Sequence, residues 1–139
     1  MVVLDTNVMS ALMHEPPTSA VIAWLDRQPR ISVWTTAITL MELRYGIEVL
    51  APGRRRIRLY QALERLVAEK IEHRVAAFDE VAAIATAVLM AERRRGGLAG
   101  DLRDAMIAGI AIANHATVVT RDARHFSDLS VPVVDPWKI

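Results

Sequence analysis

Hydrophobic residues along this chain fall into two periods. Val2-Val3-Leu4, Ile31-Ser32-Val33-Trp34 after the Pro29 break, and Thr117-Val118-Val119 are short aliphatic runs ending in polar residues, which predicts buried strands. Weaker strands are predicted over Val75 to Phe78 and Val131 to Val134, the latter at a sheet edge because Pro132 lacks a ladder donor. The stretches between them carry helix punctuation. Thr18 can cap a helix through Arg27, and Thr35 or Thr36 one to about Leu50, while Arg54 to Glu69 continues after the Pro52-Gly53 turn. Asp79 can cap Glu80 to Arg95, closed by Gly96-Gly97, and Asp101 an apolar helix through Asn114. This alternation predicts one α/β domain over residues 1–139: a short parallel sheet of four or five strands flanked by helices. In such sheets ligands collect beyond the carboxyl ends of the strands.

Composition narrows the class. At 139 residues, 53% hydrophobic and 24% charged, with mean hydropathy +0.23, the chain can fill one core and is not intrinsically disordered. The longest uncharged stretch, Ala105 to Thr120, contains Asn114 and His115 and falls short of the ~18 apolar residues of a membrane span, so a soluble protein is expected. Zero cysteines exclude disulfides, thiolate zinc sites and thiol nucleophiles. Met1 to Leu4 meets Asp5 without a basic segment and apolar run of secretory type, so a cytoplasmic location is expected. A formal charge of +1 is too small to announce a nucleic-acid partner by long-range steering, so such a partner must be read locally.

Four acids stand where chemistry is expected. Asp5 stops the first strand, and Asp122 follows the Thr117–Val119 strand by three residues, placing both near the sheet's carboxyl edge. Asp104 heads the apolar run Ala105 to Ile112, whose first turn is expected inside the molecule, and Glu42 shares the helix stripe of Ile38, Tyr45 and Val49. A buried ionised carboxylate costs several kcal/mol unless neutralised, paired or bound to a cation. Two carboxylates ~5 Å apart repel by about 3 kcal/mol at an effective dielectric of 20. If the four converge, a hard divalent cation, Mg2+ or Mn2+, is the natural counter-charge. Thr6, Asn7 and Thr120 flank these acids and can orient carboxylates or a metal-bound water. Taken singly, bland readings also exist: Asp5 and Asp122 as turn residues, Asp104 as a helix-start acid, Glu42 as a partner of Arg44, and Thr6 and Asn7 as caps of a short helix through Met13.

Val2-Val3-Leu4-Asp5-Thr6-Asn7, Met41-Glu42-Leu43-Arg44-Tyr45-Gly46, Asp104-Ala105-Met106-Ile107-Ala108 and Val118-Val119-Thr120-Arg121-Asp122, in this order and spacing, resemble PIN-domain ribonucleases, and VapC-type toxins in particular. The resemblance spans nearly the whole chain. It implies a Rossmann-like sheet, an Mg2+- or Mn2+-dependent endoribonuclease leaving a 5′-phosphate, and inhibition by a small antitoxin encoded beside it and expected to bind DNA. Carried over by position, the family's acids fall on Asp5, Glu42, Asp104 and Asp122, with Thr120 as the matching hydroxyl. The last position varies most in the family. The segment before the third acid is here Gly96-Gly97-Leu98-Ala99-Gly100, without the proline often found there.

In the resulting hypothesis Asp5 and Asp104 are principal metal ligands, Glu42 is a ligand or a base acting through water, and Asp122 holds a second ion or its water. Arg121 and Arg124 flank Asp122 and are the expected RNA contacts, whereas Arg93-Arg94-Arg95 and Arg54-Arg55-Arg56 with Arg58 read as solvated helix ends. His14, His73, His115 and His125 share no metal-ligand spacing and read as structural. Only 5% of residues are aromatic, which argues against a base-stacking platform, so specificity should come from shape or loops. The apolar stretches around Trp24, Trp34 and Ile38 to Leu50 suit a core, a homodimer or an antitoxin groove. Two other classes compete. A phosphatase or phosphotransferase with Asp5 as nucleophile would want an aspartate at position 7 and a nearby lysine, but position 7 is Asn7 and the only lysines are Lys70 and Lys138. A non-catalytic interaction module would use the acids as a surface for a basic partner.

Overall fold

A computed structural model describes residues 1–139. Its five strands are β1 (Val2–Leu4), β2 (Val33–Thr36), β3 (Val75–Ala76), β4 (Thr117–Val119) and β5 (Val133–Val134). All pairings are parallel and the order is β3-β2-β1-β4-β5, with Val2 opposite both Val33 and Thr117. The helices are α1 (Thr6–Met13), α2 (Ser19–Asp26), α3 (Ala37–Glu48), α4 (Arg54–Arg65), α5 (Glu80–Arg95) and α6 (Leu102–Ala113). The strands are short and aliphatic because both faces of the sheet are covered. Val3 and Val118 pack into a core with Ala82, Leu89, Ile107 and Ile110 of α5 and α6. Leu4 and Val119, one residue on and therefore on the opposite face, pack with Val8, Met9, Val21 and Trp24 of α1 and α2.

Helix α5 starts where Asp79 accepts the Ala82 amide, and α6 where Asp101 accepts the Arg103 and Asp104 amides, as the punctuation predicts. The two helices lie very close. A Cβ built on Gly109 would sit 1.8 Å from Thr86 Oγ1, so glycine at this position is a packing requirement.

Several elements depart from expectation. The second strand begins two residues later than its aliphatic pattern suggests, because the amide and hydroxyl of Ser32 both donate to the Pro29 carbonyl. That turn leaves Ile31 79% exposed. The helix expected over Arg54 to Glu69 changes pitch after Arg65 into a π-helical turn, Leu66–Lys70. Asp5, not Thr6 or Asn7, caps α1, its carboxylate accepting the Thr6 amide. Arg93, expected at a solvated helix end, is buried. Its Nε and Nη2 donate to the two carboxylate oxygens of Asp128 at 2.8 and 2.9 Å, and Nη2 also donates to the His125 carbonyl. This pair ties the end of α5 to the single helical turn Ala123–Phe126 that follows β4.

Candidate active site

Strand order reverses between β1 and β4, where chain connections depart to opposite sides and a crevice opens beyond the strand ends. Asp5 follows β1 and Thr120 follows β4 at this point, and the Asp5 amide donates to the Val119 carbonyl at 2.9 Å. Asp5 is 5% exposed. Its Oδ1 accepts the Thr6 amide and its Oδ2 the Thr120 hydroxyl, both at 2.7 Å. Burial still dominates and pushes its pKa up to about 6, against these two stabilising hydrogen bonds and with help from the charges of Asp104 and Glu42.

The residues around Asp5 form a linked set. Thr6 Oγ1 donates to Glu42 Oε1 at 2.9 Å. The Asn7 amide group donates to Asp122 Oδ2 at 3.1 Å and to Thr120 Oγ1 at 3.4 Å, while its oxygen accepts the Arg121 backbone N–H. Thr120 Oγ1 also accepts the Asp122 backbone N–H at 3.0 Å. Thr6 and Asn7 thus act through their side chains, joining α1 to α3 and to the segment after β4. Glu42 comes from α3, whose start is fixed by Thr36 Oγ1 accepting the Thr39 amide. Asp104 comes from the first turn of α6. Burial raises its pKa, as does neighbouring Asp101, while His125, 3.6 Å away, lowers it.

Asp5, Glu42, Asp104 and Asp122 all line one cavity of about 360 Å³, with Thr6, Asn7, Ser10 and Leu43. Acids as far apart in sequence as Asp5 and Asp122 therefore line one cavity. Thr120 stands directly behind Asp5. Two expectations about how they get there need correction. The first turn of α6 is at the surface, with Leu102 57% exposed, and Asp104 is only partly covered. The stripe bearing Glu42 is not uniformly buried either: Ile38 is, but Tyr45 and Val49 are exposed, because the inward face of this part of α3 is Leu40, Leu43 and Ile47, packed against Leu63 and Val67. Arg44 pairs with Glu48 and leaves Glu42 free for the cleft.

The two expected RNA-contact arginines separate. Arg121 lays its guanidinium over the Trp137 ring at 4.9 Å and lines neither this cavity nor its neighbour, whereas Arg124 lines the adjoining pocket. Sequence patterning missed Ser10, Arg103, which lies 3.7 Å from Glu42 Oε2, and His125 beside Asp104. His125 carried a weak signal in its distance of three residues from Asp122; Arg103 carried one in standing next to Asp104.

Every lining side chain except Leu43 offers oxygen, and none offers sulfur or imidazole. That donor set fits a hard divalent cation. Each carboxylate is turned to its own partner, and no three of them close on a single point. Asp5 carries a raised pKa, and the Arg103 guanidinium beside Glu42 is shared with Asp101. Negative charge there is under-compensated by the protein itself.

A doubly covered parallel sheet with carboxylates at its reversal point defines the class, and comparison with known proteins supplies the family. The PIN-domain family model matches residues 2–131, and the chain belongs to that family. It is 38% identical over 138 residues to the plasmid stability protein StbB of Pseudomonas syringae pv. tomato and 37% identical over 138 residues to the VapC ribonuclease Y4jK of Sinorhizobium fredii, in each case covering 99% of both chains. Among solved structures it resembles one chain of FitAB bound to an IR36 DNA fragment, with a TM-score of 0.89 and 32% identity over 100% of this chain and 97% of that one.

Proposed function

We propose that this protein is a divalent-metal-dependent endoribonuclease and the toxin of a toxin–antitoxin pair. The observation that carries the reading is the convergence of Asp5, Glu42, Asp104 and Asp122 on one cavity at the sheet's switch point. The 37% identity to a VapC ribonuclease along the full chain supports the activity. Asp5 and Asp104 would hold an Mg2+ or Mn2+ ion, with Glu42 and Asp122 completing the oxygen set. When bound, such an ion supplies a water of lowered pKa and neutralises charge on phosphate oxygens.

The chain's own contributions follow from its geometry. Thr120 and the Thr6 amide fix both oxygens of Asp5, so that carboxylate is oriented before anything binds. Thr6 steadies Glu42, which is 20% exposed and can accept a proton from a water in the cleft. Asn7 holds Asp122 at the cavity rim.

The competing enzyme class fits poorly. Position 7 is asparagine, and neither Lys70 nor Lys138 lines the cavity. A recessed, 5% exposed Asp5 is equally unsuited to be part of a docking surface. The similarity to FitAB on DNA supports a DNA-binding antitoxin as partner. Val81, Ile84 and Val88 form an exposed apolar stripe on α5, suited to a homodimer or larger assembly. No helix is long and apolar enough to cross a membrane.

Incubation of the purified protein with mixed RNA tests the reading. Cleavage is expected with Mg2+ or Mn2+, and none with EDTA or in Asp5→Asn or Asp104→Asn. Cleavage surviving either substitution would refute the assignment.

A further inference from the structure

Asp104 lines two cavities. One is the carboxylate cleft; the other, of about 320 Å³, lies between the end of α5, the loop Leu98–Gly100 and the turn Ala123–Phe126. Resting on the nuclease reading above, we propose that this second pocket seats the ribonucleotide adjoining the scissile phosphate, with Arg124 as its phosphate contact.

The pocket is built, not merely left over. Its back wall is the pair that buried Arg93 makes with partly exposed Asp128, joined by two charge-assisted hydrogen bonds and anchored to the His125 carbonyl. The loop rests on that wall so closely that a Cβ on Gly100 would lie 3.1 Å from Arg93 Nη1. With both charges of the wall spent on each other, the polar groups open to a ligand are Arg124, His125 and Ser127 and, as acceptors for ribose hydroxyls or base amino groups, the carboxylates of Asp101 and Asp104. Arg124 is exposed, lines the pocket and makes neither an ion pair nor a side-chain hydrogen bond. His125 is half exposed, with its Nδ1 3.6 Å from Asp104. Leu98, 57% exposed, and Ala99 supply the apolar surface.

One free cation, one flat imidazole and a small apolar wall suit a phosphate with its attached base. The volume lies at the lower end of small-ligand pockets, which limits the occupant to about one nucleotide. Continuity through Asp104 makes that nucleotide the neighbour of the one being cut. The pocket also answers how a chain poor in aromatics reads RNA: by a shaped slot, not a stacking platform.

The test separates binding from cutting. In the Asp5→Asn background, a labelled random RNA pentanucleotide is titrated with Mn2+ present. Arg124→Ala should weaken binding about tenfold and lower the dependence of log K on log salt by about 0.7, the value of one single-strand phosphate contact. Ser127→Trp, at an exposed position on the pocket rim, should weaken binding without changing the salt slope. With Asp5 intact, Ser127→Trp should still cut random-flank RNA but lose base preference at one position beside the cut. Unchanged affinity and unchanged preference in both variants overturn the pocket assignment and leave the nuclease reading standing. Mononucleotides binding as tightly as the pentanucleotide also overturn it, in favour of a free-nucleotide site. Failure of the unsubstituted protein to cut any RNA removes the nuclease reading, and this proposal with it.

Discussion

The two walls of the carboxylate cleft are held in different ways. On one side Asp5 is almost fully buried at the end of a central strand, and both its oxygens are fixed by Thr6 and Thr120. On the other, Asp104 and Asp122 sit on a helix start and a loop, partly or wholly exposed, the carboxylate of each paired with a single side chain, His125 or Asn7. The first wall inherits its precision from the sheet. The second depends on a tie made elsewhere, the Arg93–Asp128 pair that pins the turn after β4 to α5. A preformed carboxylate thus faces adaptable ones, an arrangement suited to a site that must admit a polymer.

The largest effect should come from the acids on which the two walls meet. Asp5→Asn or Asp104→Asn should lower RNA cleavage by about a thousandfold or more, corresponding to several kcal/mol of lost charge stabilisation. Single-turnover cleavage at saturating Mn2+ measures it. If Asp104→Asn retained activity while Asp5→Asn did not, the cleft would be one-sided and the comparison would fail.

Next comes the tie behind the adaptable wall. Arg93→Ala leaves Asp128 without its partner and removes the donor to the His125 carbonyl, and should cost about 3–5 kcal/mol in urea unfolding. Asp128 is 30% exposed, which moves the expectation toward the lower end. A cost below 1 kcal/mol would show that the turn is held by something else.

Legibility in the sequence divides differently, between local signals and long-range partners. Val2-Val3-Leu4 and Thr117-Val118-Val119 are strands whose composition and termini announce themselves, so the positions of Asp5 and Asp122 beyond their ends could be read directly. The helix starts at Asp79 and Asp101 were equally plain, since cap chemistry is local. The burial of Arg93 was not legible, because its partner is 35 residues away and Arg93-Arg94-Arg95 looks like any solvated helix end. The helix stripe that points to Glu42 is a partial guide: Ile38 is buried, whereas Tyr45 and Val49 are exposed. The late start of β2 turned on Ser32 bonding back to Pro29, which hydrophobic period does not encode.

The buried wall has its own signature in stability. With a folded pKa of about 6 against an ordinary 3.8, Asp5 binds its proton more tightly in the native state than in the unfolded chain. Native stability is therefore fully supported below about pH 4 at this site and is lost as pH rises through about 6. The shift corresponds to about 3 kcal/mol at most. In EDTA, Asp5→Asn should remove this slope and raise the melting temperature at pH 7, although the same variant is inactive. Added Mn2+ should then stabilise the unsubstituted protein and not Asp5→Asn. Parallel pH profiles of the two proteins would show that burial does not strain this carboxylate.

The smallest effect belongs to Asp122. It is exposed, its carboxylate accepts from Asn7 alone among side chains, and an asparagine there can keep that bond through its own oxygen. Asp122→Asn should change unfolding free energy by less than about 0.5 kcal/mol. Its effect on cleavage should be about 10- to 100-fold, the range for groups that tune a metal site from its edge, and higher Mn2+ should recover part of it. A loss equal to that of Asp5→Asn would make Asp122 a principal ligand, and the adaptable wall would then carry as much of the ion as the fixed one. A loss recovered fully by Mn2+ would assign Asp122 to affinity alone, leaving orientation of the reacting water to Glu42 and the strand-borne wall.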